Sequence, residues 1–68
     1  MKLGQILETQ QISIGDLARK IGVHYTYALR IIKGQRRPSP ELAFKIEQAT
    51  QGAITRDELL YPELYADT

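Results

Sequence analysis

Leu3, Ile6 and Leu7 stand three and four positions apart, the spacing of one face of an α-helix, and predict a short amphipathic helix over residues 3–9. The same rhythm returns in Ile14, Leu17, Ala18 and Ile21, at i, i+3, i+4 and i+7. It returns again in Ala28, Ile31 and Ile32, then in Leu42, Ala43, Ile46 and Ala49, and a last apolar pair, Leu59-Leu60, begins a short fifth helix. The boundaries between these runs carry start and stop chemistry. Ser13 with Asp16 three residues on reads as an N-cap followed by an acid at a helix N-terminus, and Gly22 as a left-handed terminator. Gly34 closes the third helix. Ser39-Pro40-Glu41 reads as cap, proline at the first helical position and acid in the first turn, so the fourth helix runs from about Pro40 to Thr50. Gly52 ends it, Thr55-x-x-Glu58 forms a capping box, and Pro62 stops the fifth helix.

No segment alternates with the period of a strand, and no internal repeat is present. The expected fold is therefore all-α, a single domain over residues 1–68 built from five short helices. A chain of 68 residues lies near the lower limit for folding without a staple, and it has no cysteine and one histidine. Neither a disulfide framework nor a Cys/His zinc site is available, so stability has to come from close helix packing, and no metal or cofactor is expected. No apolar run approaches the ~18 residues that span a bilayer, and the N-terminal residues lack a signal-peptide pattern. A cytoplasmic protein, associated with the nucleoid if it binds DNA, is expected, with no membrane partner.

Net charge is only +1, but its distribution is lopsided. From Leu17 to Pro40 the basic residues are Arg19, Lys20, Arg30, Lys33, Arg36 and Arg37, with no Asp or Glu among them; all eight acids lie in the flanks. Such a segment is the electrostatic footprint of a polyanion partner or, more plainly, a solvated helix face.

What separates the second helix from the third decides between these. The connection Gly22-Val23-His24 has the length that a helix-turn-helix requires, and small Ala18 lets the two helices approach. Gly22 permits the sharp turn, while Val23, Ala28 and Ile31 fill the angle between the helices. The pattern L-A-x-x-I-G-V-x-x-x-x-A-x-x-I over residues 17–31 resembles the helix-turn-helix of Cro and lambda-repressor-type phage regulators, with the motif spanning about residues 13–34. The run AITRDELLYPELY at 53–65 resembles the ending of small Cro-like and YdaS-type prophage regulators. The resemblance implies a lambda-repressor-like domain and sequence-specific binding of double-stranded DNA by the second helix of the motif. In that family the activity is transcriptional regulation, as a repressor that occupies its operator. Many relatives carry Gln near the start of the second helix where this chain has Ile14, so one side-chain phosphate contact is missing; backbone amides near Ser13 remain for a phosphate.

At about 100° per residue with Ala28 at zero, Ile31 and Ile32 fall within about 60° and define the inner stripe of the third helix. Thr26, Arg30 and Lys33 cluster opposite. Tyr25 lies about 60° to one side of Ala28 and Tyr27 about 100° to the other, so both are border positions. Carried over residue by residue, the resemblance places base readers at Tyr25, Thr26, Leu29 and Arg30, with His24 and Lys33 at the ends of the reading segment. An Arg30 fork can bond guanine O6 and N7 together, worth ~1–3 kcal/mol of discrimination, unless it meets a phosphate or solvent instead. Thr26 offers a hydroxyl and a methyl, or is a plain exposed residue. Tyr25 either touches a base or phosphate or covers the N-terminus of the second helix, and Tyr27 either packs or bonds a phosphate. His24, Lys33, Arg36, Arg37 and Ser13 complete the expected phosphate set, since charge beside a reader helix anchors it without exact orientation. Arg19 and Lys20 end the second helix, where they also suit its dipole.

A module this small buries only ~600–1,000 Å² on DNA, so a homodimer on a pseudo-palindromic site is expected. Leu59, Leu60, Tyr61, Leu64 and Tyr65 exceed what the last turn needs for its own packing and are assigned to the dimer surface. The alternative function is an antitoxin-type module that neutralises a partner protein, with the helix-turn-helix as scaffold. An enzyme is not expected, because the chain has no Cys, no His–carboxylate arrangement and no Gly-rich phosphate loop. RNA binding is disfavoured because the A-form major groove excludes a reader helix.

Overall fold

The computed structural model describes residues 2–61 and 63, which form five helices and no strand among the described residues: α1 (Lys2–Thr9), α2 (Ile14–Ile21), α3 (Tyr25–Ile32), α4 (Pro40–Ala49) and α5 (Arg56–Leu60). Each of the last four begins on a side chain that replaces a missing intrahelical acceptor. Ser13 Oγ accepts the Asp16 N–H at 3.0 Å, His24 Nδ1 the Thr26 N–H at 3.2 Å, and Ser39 Oγ the Leu42 N–H at 3.3 Å. Thr55 and Glu58 form the reciprocal capping box, with the Glu58 N–H donated to Thr55 Oγ1 at 3.2 Å.

The ends of α1 to α4 follow one recipe. A left-handed residue turns the chain so that the next N–H groups reach back to free carbonyls of the last turn. Gly22 (φ 75°) does this after α2, where the Val23 N–H is donated to the Ala18 carbonyl at 3.0 Å. Gly34 (φ 77°) does it after α3, with the Gln35 N–H donated to the Arg30 carbonyl at 2.9 Å. After α1 and α4 the same place is taken by Gln11 (φ 58°) and Gln51 (φ 57°). The Ile12 N–H reaches the Leu7 carbonyl and the Gly52 N–H the Glu47 carbonyl, each at 2.9 Å. Gly52 (φ 79°) then follows Gln51 as a second left-handed residue, so the α4 terminus is a pair where a single glycine stop is expected.

All five helices contribute to one core: Leu3 and Leu7 from α1, Leu17 and Ile21 from α2, Ile31 from α3, Leu42, Ala43 and Ile46 from α4, and Leu59 from α5, with Ile54 between the last two. Ala18 and Ala28, 4% and 0% exposed, are the small side chains of the α2–α3 crossing. α4 is the central element, packed against both α2 and α5. α1 crosses the C-terminal end of α3, where a Cβ added at Gly4 would sit 3.5 Å from Ile32 Cγ2. The buried hydroxyl of Thr50 is satisfied by the Ile46 and Glu47 carbonyls at 3.0 and 3.2 Å, and its own carbonyl accepts from Gln10 Nε2 at 2.9 Å.

Leu59 corrects an expectation. At 1% exposure it is part of the core, because α5 docks onto α4 and turns this side chain inward; it is therefore not a dimer-surface residue. Leu60 is half-buried against the same core, and of the described dimer candidates Tyr61 alone is well exposed, at 49%. Leu64, Tyr65 and the Pro62 stop lie outside the described residues.

Candidate nucleic-acid interface

α2 and α3 are joined by Gly22, Val23 and His24, the turn of a helix-turn-helix. No atom lies within 4 Å of the position a Cβ would take at Gly22, so glycine is needed there for its left-handed backbone and not for space. Val23 is half-buried against the core and His24 is exposed, capping α3 from outside. Ala28 and Ile31 are sealed inside at 0% and 1%, while Thr26, Arg30 and Lys33 are exposed on the opposite side. Leu29 is half-buried on the flank.

The tyrosines reverse their angular order. Tyr25, nearer Ala28 on the helical wheel, is 51% exposed. It is the first residue of α3, and a helical side chain leans towards the N-terminus, which carries this ring past the edge of the core. Tyr27, farther round, is half-buried against the core cluster. The start of α4 supplies its neighbours: with Val23, Ser39 and Leu42 it lines a shallow groove of about 250 Å³.

After Gly34 the chain runs through exposed Gln35, Arg36 and Arg37 to a buried Pro38 before Ser39 caps α4. The basic loop is thus pinned at both ends with two arginines between the pins. The Arg36 guanidinium carbon lies 5.2 Å from the centroid of the Tyr27 ring, within cation–π range. Arg37 Nη2 donates to Glu63 Oε2 at 3.2 Å, an ion pair in which both side chains are more than half exposed. Arg19 is paired with Asp16 one turn back on α2, also at the surface. Lys20, Arg30 and Lys33 have no carboxylate partner among the described residues.

The structure therefore brings Thr26, Arg30 and Lys33 onto one outward face with Tyr25 beside them, and places Arg36 and Arg37 on the loop that follows. Ser13 lies at the start of α2, its hydroxyl engaged as a cap. Three participants were not apparent in the sequence: the Tyr27–Arg36 contact, the Glu63 partner of Arg37, and the buried Pro38. None has a local signal, because each depends on the path of the loop. No group of three or more His, Cys, Asp or Glu side chains that could hold a metal occurs among the described residues, and no helix there is long and apolar enough to cross a membrane.

Comparison with known proteins agrees with this geometry. A prophage transcriptional regulatory protein of Escherichia coli (strain K12) is 41% identical over 51 residues, which cover 75% of this chain and 76% of that protein. No solved structure gives a significant match. The helix-turn-helix family matches residues 3–56, a span that covers all but the first residue of α1 and the whole of α2, α3 and α4, and the chain belongs to that family.

Proposed function

We propose that this protein is a phage- or prophage-type transcriptional regulator that binds double-stranded DNA with α3 in the major groove and represses by occupying its operator. The observation that carries this reading is the division of α3 into a sealed apolar side, Ala28 and Ile31, and an exposed side on which Arg30 and Lys33 have no carboxylate partner among the described residues. An unpaired arginine at the surface keeps its fork free for a guanine edge. Tyr25, Thr26 and Leu29 supply the remaining base-facing groups. His24, Lys33, Arg36 and the start of α2 at Ser13 hold phosphates, His24 through the ring nitrogen that its cap leaves unused. Two copies on a pseudo-palindromic site would double the small interface of one module, with Tyr61 as the described residue available for contact between them. The 41% identity to a protein named as a prophage transcriptional regulator supports the regulatory role.

Selection of bound duplexes from a random pool tests this reading. The wild type should recover a two-fold symmetric motif, and its affinity should fall steeply with salt, by a slope of about 0.9 per phosphate contacted. Failure to retain any duplex at low salt overturns it. Sedimentation of the protein with a recovered duplex should give two copies per site; a single bound copy removes the dimer.

A further inference from the structure

Arg36 and Arg37 are adjacent, both exposed and identical in charge, yet the structure gives them different partners. Arg37 meets a carboxylate. Its guanidinium donates one bond to Glu63, and that carboxylate sets a like charge against any phosphate Arg37 would hold. Arg36 meets an aromatic face. A π-system attracts a cation through its quadrupole without neutralising it, and a planar guanidinium lying against a ring keeps donors free at its edge. Tyr27 is fixed in turn: it grows from the first turn of α3 and packs against the core, so its ring moves with the reading helix. A mobile arginine on a loop must give up rotamer freedom when it binds; one already lying on a fixed ring gives up less.

We infer that Tyr27 is a positioning residue for Arg36, that Arg36 is thereby the phosphate anchor of the loop, and that Arg37 instead ties the loop to the chain around Glu63. This deepens the DNA-binding reading and rests on it. It also replaces a symmetric pair of anchors with one anchor and one strut, and assigns Tyr27 a role through its ring in place of a phosphate bond through its hydroxyl.

The test measures affinity and salt slope on a short mixed-sequence duplex and on a duplex recovered from the random pool. Arg36→Ala should weaken binding roughly eightfold near 0.1 M salt and lower the salt slope by about 0.9, the size of one phosphate contact. Arg37→Ala should change affinity less than about twofold, since the Glu63 carboxylate beside it already opposes a phosphate there. Tyr27→Phe keeps the ring and should match wild type. Tyr27→Leu should weaken binding about two- to fivefold, the strength of an exposed cation–π contact, and should have no further effect when Arg36 is already Ala. That non-additivity separates positioning from structure, because general damage to α3 would weaken both backgrounds alike. If Tyr27→Leu does not fold by thermal unfolding, Tyr27→Met takes its place in the cycle.

A Tyr27→Phe variant as weak as Tyr27→Leu returns the role to the hydroxyl and overturns the inference. So does an Arg37→Ala loss equal to that of Arg36→Ala, or a Tyr27→Leu effect that persists in full without Arg36. Wild-type protein that binds neither duplex defeats the functional reading itself, which is a different outcome from any of these.

Discussion

At the α2–α3 corner a helix ends on left-handed Gly22 and the next begins three residues later behind the His24 cap; at the α4–α5 corner the chain turns through left-handed Gln51 and Gly52 and restarts behind Thr55. Both corners send apolar side chains into the same core. Their surfaces differ in sign. Around the first stand Arg19, Lys20, Arg30 and Lys33 against Asp16, with the Glu41–Lys45 pair nearby adding no net charge, whereas residues 47–63 carry Glu47, Asp57, Glu58 and Glu63 against Arg56. Helix grammar builds a corner, and the charge laid over it decides what the corner can hold. The second corner repels a polyanion; the first attracts one.

The comparison breaks most visibly if the corners are not alike inside. Ile31→Ala and Leu59→Ala each remove a side chain that is 1% exposed, and each should cost about 2–5 kcal/mol in urea unfolding. If Leu59→Ala instead dissociates a dimer and leaves monomer unfolding unchanged, Leu59 is an interface residue and α5 is docked differently. The functional contrast is tested by two exposed arginines. Arg30→Ala should lose about 1–3 kcal/mol of discrimination at one base pair per half-site in competition titrations. Arg56→Ala, which among the described residues gives up a contact with the Phe44 ring at 5.5 Å, should leave DNA affinity within about 0.5 kcal/mol of wild type.

Backbone handedness gives a finer test. Gly22→Ala meets no neighbour but must adopt φ near 75°, and should lower stability by about 1–2 kcal/mol in thermal unfolding. Gln51→Gly relieves the same strain at the other corner and should raise stability by somewhat under about 1 kcal/mol, through a glycine suited to φ 57° but more flexible when unfolded. A destabilised Gln51→Gly would show that the Gln51 side chain contributes more than its backbone costs. The smallest effect belongs to the caps: Thr55→Ala should cost about 1 kcal/mol in unfolding while DNA affinity stays unchanged, because the capping box lies on the acidic corner.

Much of this arrangement was legible along the chain, for reasons that differ by residue. Ser13, Ser39 and Thr55 announce helix starts through side chains that bond their own backbone, a local effect that needs no tertiary context. Ala28, Ile31, Arg30 and Lys33 sort correctly because a helix converts spacing into direction. Gln11 and Gln51 carry no such mark; their left-handed backbone is imposed by the turn they sit in, and glycine is the signal one looks for. Tyr25 and Tyr27 both fall on the border of the helical wheel, and angle alone does not say which is covered because it ignores how far along the helix the core extends. Leu59 read as surplus because the surface that receives it belongs to α4, residues away in sequence. The Tyr27–Arg36 and Arg37–Glu63 contacts depend on where a loop returns, and spacing is silent on that.

The bond from Gln10 Nε2 to the Thr50 carbonyl joins positions 40 residues apart, just past the ends of α1 and α4. Its consequence is for local opening. None of these helices exceeds ten residues, below the ~12–15 at which a helix persists alone in water, so each exists only while the others hold it. With the first helix latched to the end of the central one, fraying at the N-terminus loosens the α4 terminus, and that terminus leads into α5. Opening at the N-terminus is thereby coupled to the α4–α5 connection, and DNA held by α3 would oppose it by stabilising the folded domain.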